Sequence, residues 1–342
     1  MKIGLFTFAD LTHDPRTGES AGYQQRIREV IDAAKMADKL GFAVFGVGEH
    51  HRLDMAISSP AVVLAAIAAE TKNVQLTSTV TILPTLDPVR VFQDFATLDL
   101  VSDGRAEMTV GRGAFVESFP LFGCDVADYD ELFAVKLDLL MKLNAAERVT
   151  WRGKFRTPLS DSEISPRPVN GKLPIWLGVG GTPESAVRAG RLGLPLTLAN
   201  ITQPPAKFAP QIDSYRQAGA DAGHDPKSLE VAIAGHLYIH KDSQTARDEF
   251  YPHYAAYFRD HAVKGRYAME IPQEEFDRRA APDGPLYVGS PQEIIDKIER
   301  GREFFHHDRY LGQLDLGGLP YARVAEAIEL LADKVLPAVQ DK

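Results

Sequence analysis

The stretch Ala43-Val-Phe-Gly-Val-Gly-Glu-His-His51 joins a short apolar run to a carboxylate and two adjacent imidazoles. Its β-branched and aromatic residues predict a strand that ends at Val47, and Gly48 interrupts the pattern. Titratable side chains directly after an apolar strand are poor material for a hydrophobic core, because an unpaired buried polar group is costly. The stretch therefore predicts a buried strand whose carboxyl end carries part of an active site.

Seven further β-prone runs accompany this strand, and helical patterns separate most of them. The predicted strands are residues 2–8, 43–47, 74–83, 105–111, 174–178, 194–198, 229–239 and 310–316. Helix starts are marked by a capping residue followed by proline at Ser59-Pro60, Asp87-Pro88 and Ser290-Pro291. Eight strand–helix units in succession are what a (β/α)8 barrel requires, since parallel crossovers are right-handed.

We therefore predict a single α/β domain over residues 1–342 with the fold of a (β/α)8 TIM barrel. A doubly wound open sheet is the alternative, but it would leave two units unexplained and no Gly-x-Gly-x-x-Gly follows the first strand. Two insertions are expected. Residues 148–174 predict a hairpin or extended excursion around Gly153 and then an irregular proline-rich segment, and residues 259–285 predict a lid.

Composition excludes several classes of partner. The net charge of −9, from 47 acidic and 38 basic residues, lacks the positive charge of a nucleic-acid binder. No apolar run reaches membrane-spanning length, and the first residues lack a signal peptide. A single cysteine excludes an internal disulfide framework. We expect a soluble cytoplasmic protein.

In a (β/α)8 barrel the active site lies at the carboxyl ends of the strands. This criterion selects Phe8, residues 49–51, Thr79, Arg112 and the loop 180–181. Adjacent histidines on an extended chain point to opposite sides and cannot share one metal ion, so we predict no metal site. We favour a catalytic role for His50 and a structural role for His51, with Glu49 as a partner that fixes an imidazole tautomer or pairs with an arginine.

Two helix starts differ in a way that indicates an anion site. Ser290-Pro-Gln-Glu293 is a complete capping box, in which the glutamate occupies the donors of the helix itself. Thr182-Pro-Glu-Ser185 has serine instead of glutamate at the third position after the cap. It follows Gly180-Gly181, which lets backbone N–H groups approach a ligand. Arg112 on a neighbouring strand end would supply a charge for a phosphate. A plain turn explains the same pair of glycines.

Four motifs together resemble the bacterial-luciferase-like, flavin-dependent monooxygenase family. They are Gly48-Glu49-His50-His51, Ile82-Leu83-Pro84-Thr85-x-x-Pro88-Val89-Arg90, Leu98-Asp99-x-x-Ser102-x-Gly104-Arg105 and Gly111-Arg112-Gly113. The similarity covers residues 1 to about 200 and resumes at Tyr287-Val-Gly-Ser-Pro291. The resemblance implies a (β/α)8 barrel with insertions, usually dimeric, that binds reduced FMN and O2 and oxygenates an organic substrate through a flavin hydroperoxide.

The resemblance also implies roles for individual residues. His50 matches the catalytic histidine beside the flavin, and an imidazole that titrates near neutrality could stabilise or protonate the oxygenated species. Arg112, Thr182 and Ser185 match the residues that hold the FMN phosphate, and Gly180 and Gly181 belong to the same loop.

The third strand end, Ser78-Thr79-Val80, matches the backbone that lies against the flavin ring, often with a cis peptide that does not precede proline. Luciferases proper carry a cysteine where this chain has Gly111, so light emission is not implied.

Three functional hypotheses follow from the resemblance. The first is an FMN-dependent monooxygenase that receives FMNH2 from a separate NAD(P)H:flavin reductase, since no second nucleotide-binding fingerprint is present. The second is an F420-dependent oxidoreductase of the same superfamily. The third is a flavin-binding subunit without its own chemistry, against which His50 argues. A homodimer is expected in each case.

Overall fold

Eight parallel strands close into a barrel, and this confirms the predicted (β/α)8 fold. The computed structural model describes residues 1–261 and 269–340. The strands are β1 (Lys2–Thr7), β2 (Val44–Val47), β3 (Gln75–Ile82), β4 (Met108–Gly111), β5 (Arg148–Gly153), β6 (Arg156–Glu163), β7 (Ile175–Val179), β8 (Leu196–Ala199), β9 (Val231–Ile239), β10 (Tyr287–Gly289) and β11 (Arg309–Gln313). Neighbours pair around the barrel in the order β1, β2, β3, β4, β7, β8, β9 and β11, and β11 pairs with β1.

Helices surround the barrel and supply most of the apolar core. They are α1 (Tyr23–Leu40), α2 (Pro60–Glu70), α3 (Pro88–Val101), α4 (Ser118–Leu121), α5 (Tyr129–Ala145), α6 (Pro183–Arg191), α7 (Ala209–Asp221), α8 (Ser243–Asp260), α9 (Gln273–Ala280), α10 (Pro291–Phe305), α11 (Tyr321–Leu330) and α12 (Leu336–Gln340). In the parts of the chain that the structure describes, no helix combines the length and apolarity needed to cross a bilayer.

The predicted helix caps differ in their contacts. The Asp87 carboxylate accepts from the Val89 and Arg90 N–H groups at the start of α3. Ser59 occupies the cap position of α2, but its side chain makes no capping hydrogen bond. Ser290 and Glu293 form the predicted capping box at α10. Local sequence therefore places each helix start, while side-chain rotamers decide how the backbone donors are satisfied.

An ion pair fills the amino-terminal end of the barrel. Glu107 and Arg309 are 1% and 4% exposed and form a salt bridge. The Arg309 guanidinium lies 4.3 Å from the centroid of the Trp176 ring, and the Trp176 indole N–H donates to Glu107 Oε2 at 3.2 Å. This packed end leaves the opposite, carboxyl end of the strands for a ligand, as the barrel architecture requires.

The two predicted insertions are partly confirmed. Residues 148–163 form an antiparallel hairpin, β5 with β6, so the irregular structure predicted after residue 158 is wrong for 158–163. Most residues of β6 are polar, so its sequence lacks the alternation of apolar and polar residues that predicts a strand. Of the predicted lid at 259–285, residues 262–268 lie outside the described residues. Residues 273–280 form α9, and the unpredicted strand β10 begins at Tyr287 and pairs with β9.

Candidate active site

His50 lies in a pocket of aromatic rings just after β2. Its backbone N–H donates to the Ile57 carbonyl at 3.0 Å, and its ring contacts Phe8 and Phe115 edge to face, at centroid distances of 4.9 and 5.3 Å. The side chain is buried, and Nδ1 has no hydrogen-bond partner among the described residues. Such an unpaired buried nitrogen is available to a ligand.

Burial also determines the charge of this imidazole. Loss of solvation, together with repulsion from Arg52 and from a protonated His261, lowers the pKa of His50 to about 3. The expectation that His50 titrates near neutrality is therefore wrong for the ligand-free protein. At neutral pH the ring is uncharged, so it can donate one hydrogen bond and accept another or take up a proton.

His51 and Glu49 form a separate structural unit. His51 Nε2 lies 2.9 Å from Glu49 Oε1, and the Ile82 N–H donates to Glu49 Oε2 at 3.0 Å. Both carboxylate oxygens are thus occupied, and these hydrogen bonds join the ends of β2 and β3. These contacts agree with the interpretation of Glu49 as the partner that fixes the His51 tautomer. Within residues 1–261 and 269–340, no group of three or more His, Cys, Asp or Glu residues could hold a metal ion.

The amino terminus of α6 is open, as its sequence predicts. Thr182 occupies the cap position without a capping side-chain hydrogen bond, and a methyl group added to Gly180 or Gly181 would meet no atom within 4 Å. The Gln211 amide donates to the Gly180 carbonyl at 3.2 Å and holds the loop. The open loop at Gly180 and Gly181 therefore leads into a helix start where negative charge is favoured, while the Ser185 N–H donates to the Thr182 carbonyl at 3.1 Å.

Arg112 extends from the end of β4 to this helix start. Its Nη2 donates to Ser185 Oγ at 3.0 Å, and its Nη1 donates to the Asp130 carboxylate. The guanidinium also lies 5.3 Å from the centroid of the Tyr129 ring. The structure thus brings the predicted Arg112 and Ser185 together. Asp130 was missed, because nothing in its own helix pattern distinguishes it from an ordinary acidic residue in a first turn.

The comparison with α10 explains why only one of the two helix starts is available. At α10, Glu293 accepts from the Ser290 N–H at 2.8 Å and from Ser243 and Arg247. These hydrogen bonds overcome the effect of burial and lower the pKa of Glu293 to about 2. An anion at α10 would have to displace this carboxylate, whereas no side-chain hydrogen bond caps the start of α6.

The end of β3 contributes backbone and one free hydroxyl. The peptide between Thr79 and Val80 is cis, as the family resemblance implies. The Thr79 hydroxyl is buried and has no partner among the described residues. Ser78 Oγ donates to the Thr109 carbonyl at 3.1 Å and accepts from Thr81, so its hydroxyl belongs to the barrel wall. A ligand at this strand end would meet the backbone of Ser78 and the side chain of Thr79.

Glycines on two neighbouring strands make room for Val80. A Cβ atom on Gly111 would lie 2.8 Å from Val80 Cγ2, and one on Gly178 would lie 2.7 Å from Val80 Cγ1. Both distances are too short for real contacts, so the Val80 side chain already occupies the space that these glycines leave. Residues from β2, β3, β4 and β7, which are consecutive in the barrel, therefore form one continuous arc.

Aromatic residues of α8 lie on the other side of the barrel mouth. Tyr254, Tyr257 and Phe258 surround the His236 ring, and the ring of Tyr257 stacks on His261 at 4.4 Å. Phe250 stacks on Tyr238 at 5.1 Å, and all four aromatic residues belong to the apolar core.

The arrangement described so far matches known proteins over most of the chain. The profile of a family described as luciferase-like monooxygenase matches residues 1–307. The oxygenase component of a flavin-dependent trigonelline monooxygenase from Acinetobacter baylyi is 23% identical over 366 aligned positions, covering 100% of this chain and 96% of that protein.

Two solved structures share the fold. The monooxygenase RslO1 from Streptomyces bottropensis superposes with a TM-score of 0.85 at 26% identity and covers 98% of this chain and 99% of its own. The oxygenating constituent of 3,6-diketocamphane monooxygenase from Pseudomonas putida, solved with FMN, has a TM-score of 0.77 at 21% identity and covers 98% of both chains.

Proposed function

Because the chain belongs to the luciferase-like monooxygenase family, we propose that it is the oxygenating component of an FMN-dependent monooxygenase. In this proposal it takes reduced FMN from a separate NAD(P)H:flavin reductase and uses O2 to oxygenate a small organic substrate. The observation that carries the proposal is the contact of Arg112 with Ser185 at the open start of α6. That contact provides a site for a phosphate on the same face of the barrel as His50.

The residues at this face fit the phosphate end of FMN. The Arg112 guanidinium can donate charge-assisted hydrogen bonds to phosphate oxygens. Its present partner, Asp130, is a solvent-exposed carboxylate that a dianion can displace. Ser185 and Thr182 add hydroxyl groups, and the open backbone at Gly180 and Gly181 adds N–H donors. A phosphate here would satisfy the helix start that the sequence itself leaves uncapped.

The ring end of the cofactor fits the arc between β2 and β7. The backbone at Ser78 and Thr79 would lie against the flat ring, and the unpaired Thr79 hydroxyl would find a partner there. Bound reduced FMN supplies the electrons that activate O2, so that one oxygen atom enters the substrate and the other leaves as water.

His50 would act beside the ring in its neutral form. Its free Nδ1 can hold a proton for an oxygen atom or remove one from it, and the ring stays uncharged until such a proton arrives. Phe8 and Phe115 hold the imidazole plane and exclude water from it. His51 contributes indirectly, since its hydrogen bond with Glu49 holds the strand end that carries His50.

A homodimer in the cytoplasm completes the proposal. Val62 on α2 and Val101 on α3 are 70% and 52% exposed, and these two helices pack side by side. A second copy of the chain would cover these apolar side chains. Multi-angle light scattering should report twice the mass of 37.6 kDa, and a monomer at all concentrations would contradict this part of the proposal.

Titrations with FMN, riboflavin and F420 test the site. We expect wild-type protein to bind FMN at least tenfold more tightly than riboflavin, because a charge-assisted hydrogen bond contributes about 1.5–3 kcal/mol. The variant Arg112→Met should lose most of this preference for FMN, and the hydroxyl and backbone N–H groups at the start of α6 should retain the rest. Arg191→Met, at the exposed far end of α6, is the matched control and should behave as wild type.

Other outcomes would change the assignment. Tighter binding of F420 than of FMN would make the protein an F420-dependent oxidoreductase. If FMN binds but substrate-coupled O2 consumption with a flavin reductase is the same for His50→Phe and wild type, the chain is a non-catalytic flavin-binding subunit. Binding of neither cofactor at micromolar concentrations would refute a flavin-dependent function.

A further inference from the structure

Two polar side chains inside the barrel are fully buried and have no hydrogen-bond partner among the described residues. His236 lies on β9 and is 1% exposed, and Gln313 ends β11 and is 0% exposed. Both ring nitrogens of His236 and both amide atoms of Gln313 are unpaired. Buried polar atoms without partners destabilise a fold, so four of them in one place indicate a missing ligand.

The strand register places these two residues side by side and facing inward. His236 and Gln313 are directly paired positions on the parallel strands β9 and β11. Ala234 and Leu311, two residues earlier on each strand, pack with Phe6 in the small apolar cluster inside the barrel. Side chains of a strand alternate with a period of two, so His236 and Gln313 continue this inner face toward the carboxyl end.

A chain of ring contacts joins this pair to the proposed catalytic residue. Phe6 is the register partner of Gln313 on β1. The Phe6 ring lies 5.3 Å from Phe8, and Phe8 lies 4.9 Å from His50. The unpaired atoms therefore belong to the same end of the barrel as His50, on the opposite side from the phosphate-type site on β4 and β7.

The surroundings are aromatic. The rings of Tyr254, Tyr257 and Phe258 lie 5.8, 6.0 and 6.0 Å from the His236 ring. Rings at these distances pack directly against the imidazole, so the polar pair has aromatic, apolar surroundings of the kind that another ring system also favours. The two unpaired side chains provide the polar contacts in these surroundings, as in most small-molecule sites.

Neither polar side chain carries a charge. Burial, together with the positive charge of Arg279, lowers the pKa of His236 to about 3. Arg279 is itself held by the Glu275 carboxylate at 2.6 Å and by the Tyr254 hydroxyl at 3.1 Å. A neutral imidazole and an amide each offer one kind of donor and one kind of acceptor, so they match a neutral ligand better than an ion.

We propose that His236 and Gln313 form the subsite that recognises the organic substrate, a neutral ring-containing compound whose hydroxyl or carbonyl groups exchange hydrogen bonds with both side chains. This inference rests on the proposed function, because the subsite serves a substrate held across the barrel mouth from the cofactor. It assigns specificity to two residues that do not touch the phosphate-type site.

Matched apolar substitutions test the subsite without knowledge of the natural substrate. His236→Leu and Gln313→Met keep similar volumes and remove the hydrogen-bonding atoms. In the ligand-free protein we expect the thermal unfolding midpoint of each variant to be unchanged or higher, because unpaired polar atoms are removed. Tyr310→Phe is the control, since its hydroxyl is also buried and unpaired but its ring packs at a tilt against Tyr287, with 4.6 Å between the ring centroids.

The probes are 2-naphthol, naphthalene and 2-naphthoate, and their binding is measured by fluorescence titration. Wild type and Tyr310→Phe should bind 2-naphthol at least tenfold more tightly than either other compound. The double variant H236L/Q313M should bind 2-naphthol and naphthalene equally, with the FMN dissociation constant changed less than twofold.

Three results would overturn the inference. These are no preference for 2-naphthol in wild type, a preference that survives in the double variant, and a lower unfolding midpoint for both single variants, which would indicate structural roles. FMN binding is measured on the same samples. Failure of wild type to bind FMN would refute the proposed function, while the probe titrations would still decide whether the polar subsite exists.

Discussion

The close approach of the Val80 side chain to Gly178 allows a quantitative test of the proposed cofactor site. In Gly178→Ala the new Cβ would lie 2.7 Å from Val80 Cγ1, whereas ordinary contacts of this kind are 3.4–4 Å long. The valine must therefore move by about 1 Å, and overpacking of this size costs about 1–3 kcal/mol. Gly178 does not have a left-handed backbone, so alanine also gains about 0.4–1 kcal/mol from the unfolded chain.

We therefore expect Gly178→Ala to lower the free energy of unfolding by about 1–2 kcal/mol, measured by urea denaturation. The displaced valine would enter the space proposed for the flavin ring, so FMN and riboflavin should both bind more weakly. A loss for FMN alone would point to the phosphate site instead. Because the clash is between two side chains, Val80→Ala should relieve it, and the double variant should show a favourable coupling of about 1–2 kcal/mol.

Gly180→Ala is the matched control for this experiment. A methyl group at Gly180 would meet no atom within 4 Å, so its free energy of unfolding should stay within about 0.5 kcal/mol of wild type or rise slightly. The reasoning is refuted if Gly178→Ala is as stable as Gly180→Ala. It is also refuted if Val80→Ala and Gly178→Ala destabilise the protein additively, because then the valine is not the atom group that the new methyl contacts.

Three further predictions concern stability. Glu107→Gln breaks a buried ion pair and should cost about 3–5 kcal/mol in urea unfolding, because Arg309 is left with a buried uncompensated charge. FMN affinity at the opposite end of the barrel should not change in this variant, and a loss below about 1 kcal/mol would contradict the role of the pair. Asp87→Ala should cost about 1 kcal/mol through its lost helix cap, while Ser59→Ala should cost less than about 0.5 kcal/mol because Ser59 makes no capping bond; equal losses would be evidence against this distinction. The lowered pKa of His236 means that the unfolded chain binds a proton below pH 6.5 that the folded protein binds only near pH 3, so stability falls as the pH falls through this window. Between pH 7 and pH 5 the free energy of unfolding of wild type should therefore fall by about 2 kcal/mol more than that of His236→Leu. If urea denaturation at the two pH values gives the same decrease for both proteins, His236 is not buried in its neutral form.

Local patterns in the sequence selected most of the residues of the candidate site, whose roles stay predictions. Gly180-Gly181, together with serine instead of glutamate at position 185, predicted a helix start without a side-chain cap, and the structure has one. The position of His50 after an apolar strand placed it at the barrel mouth, but its ionisation was predicted wrongly. The pKa of an imidazole depends on how completely other segments bury it, and the rings of Phe8 and Phe115 come from other loops.

The order of strands and helices, and therefore the barrel, could be determined from the sequence alone, because apolar periodicity and helix caps are encoded within each segment. Only the tertiary structure showed which distant side chains meet. Arg112 and Ser185 are 73 positions apart, and their contact depends on the pairing of β4 with β7. The unpaired atoms of His236 and Gln313 likewise became visible only through the register of β9 and β11. A sequence pattern reports how one segment is buried, whereas barrel closure decides what it is buried against.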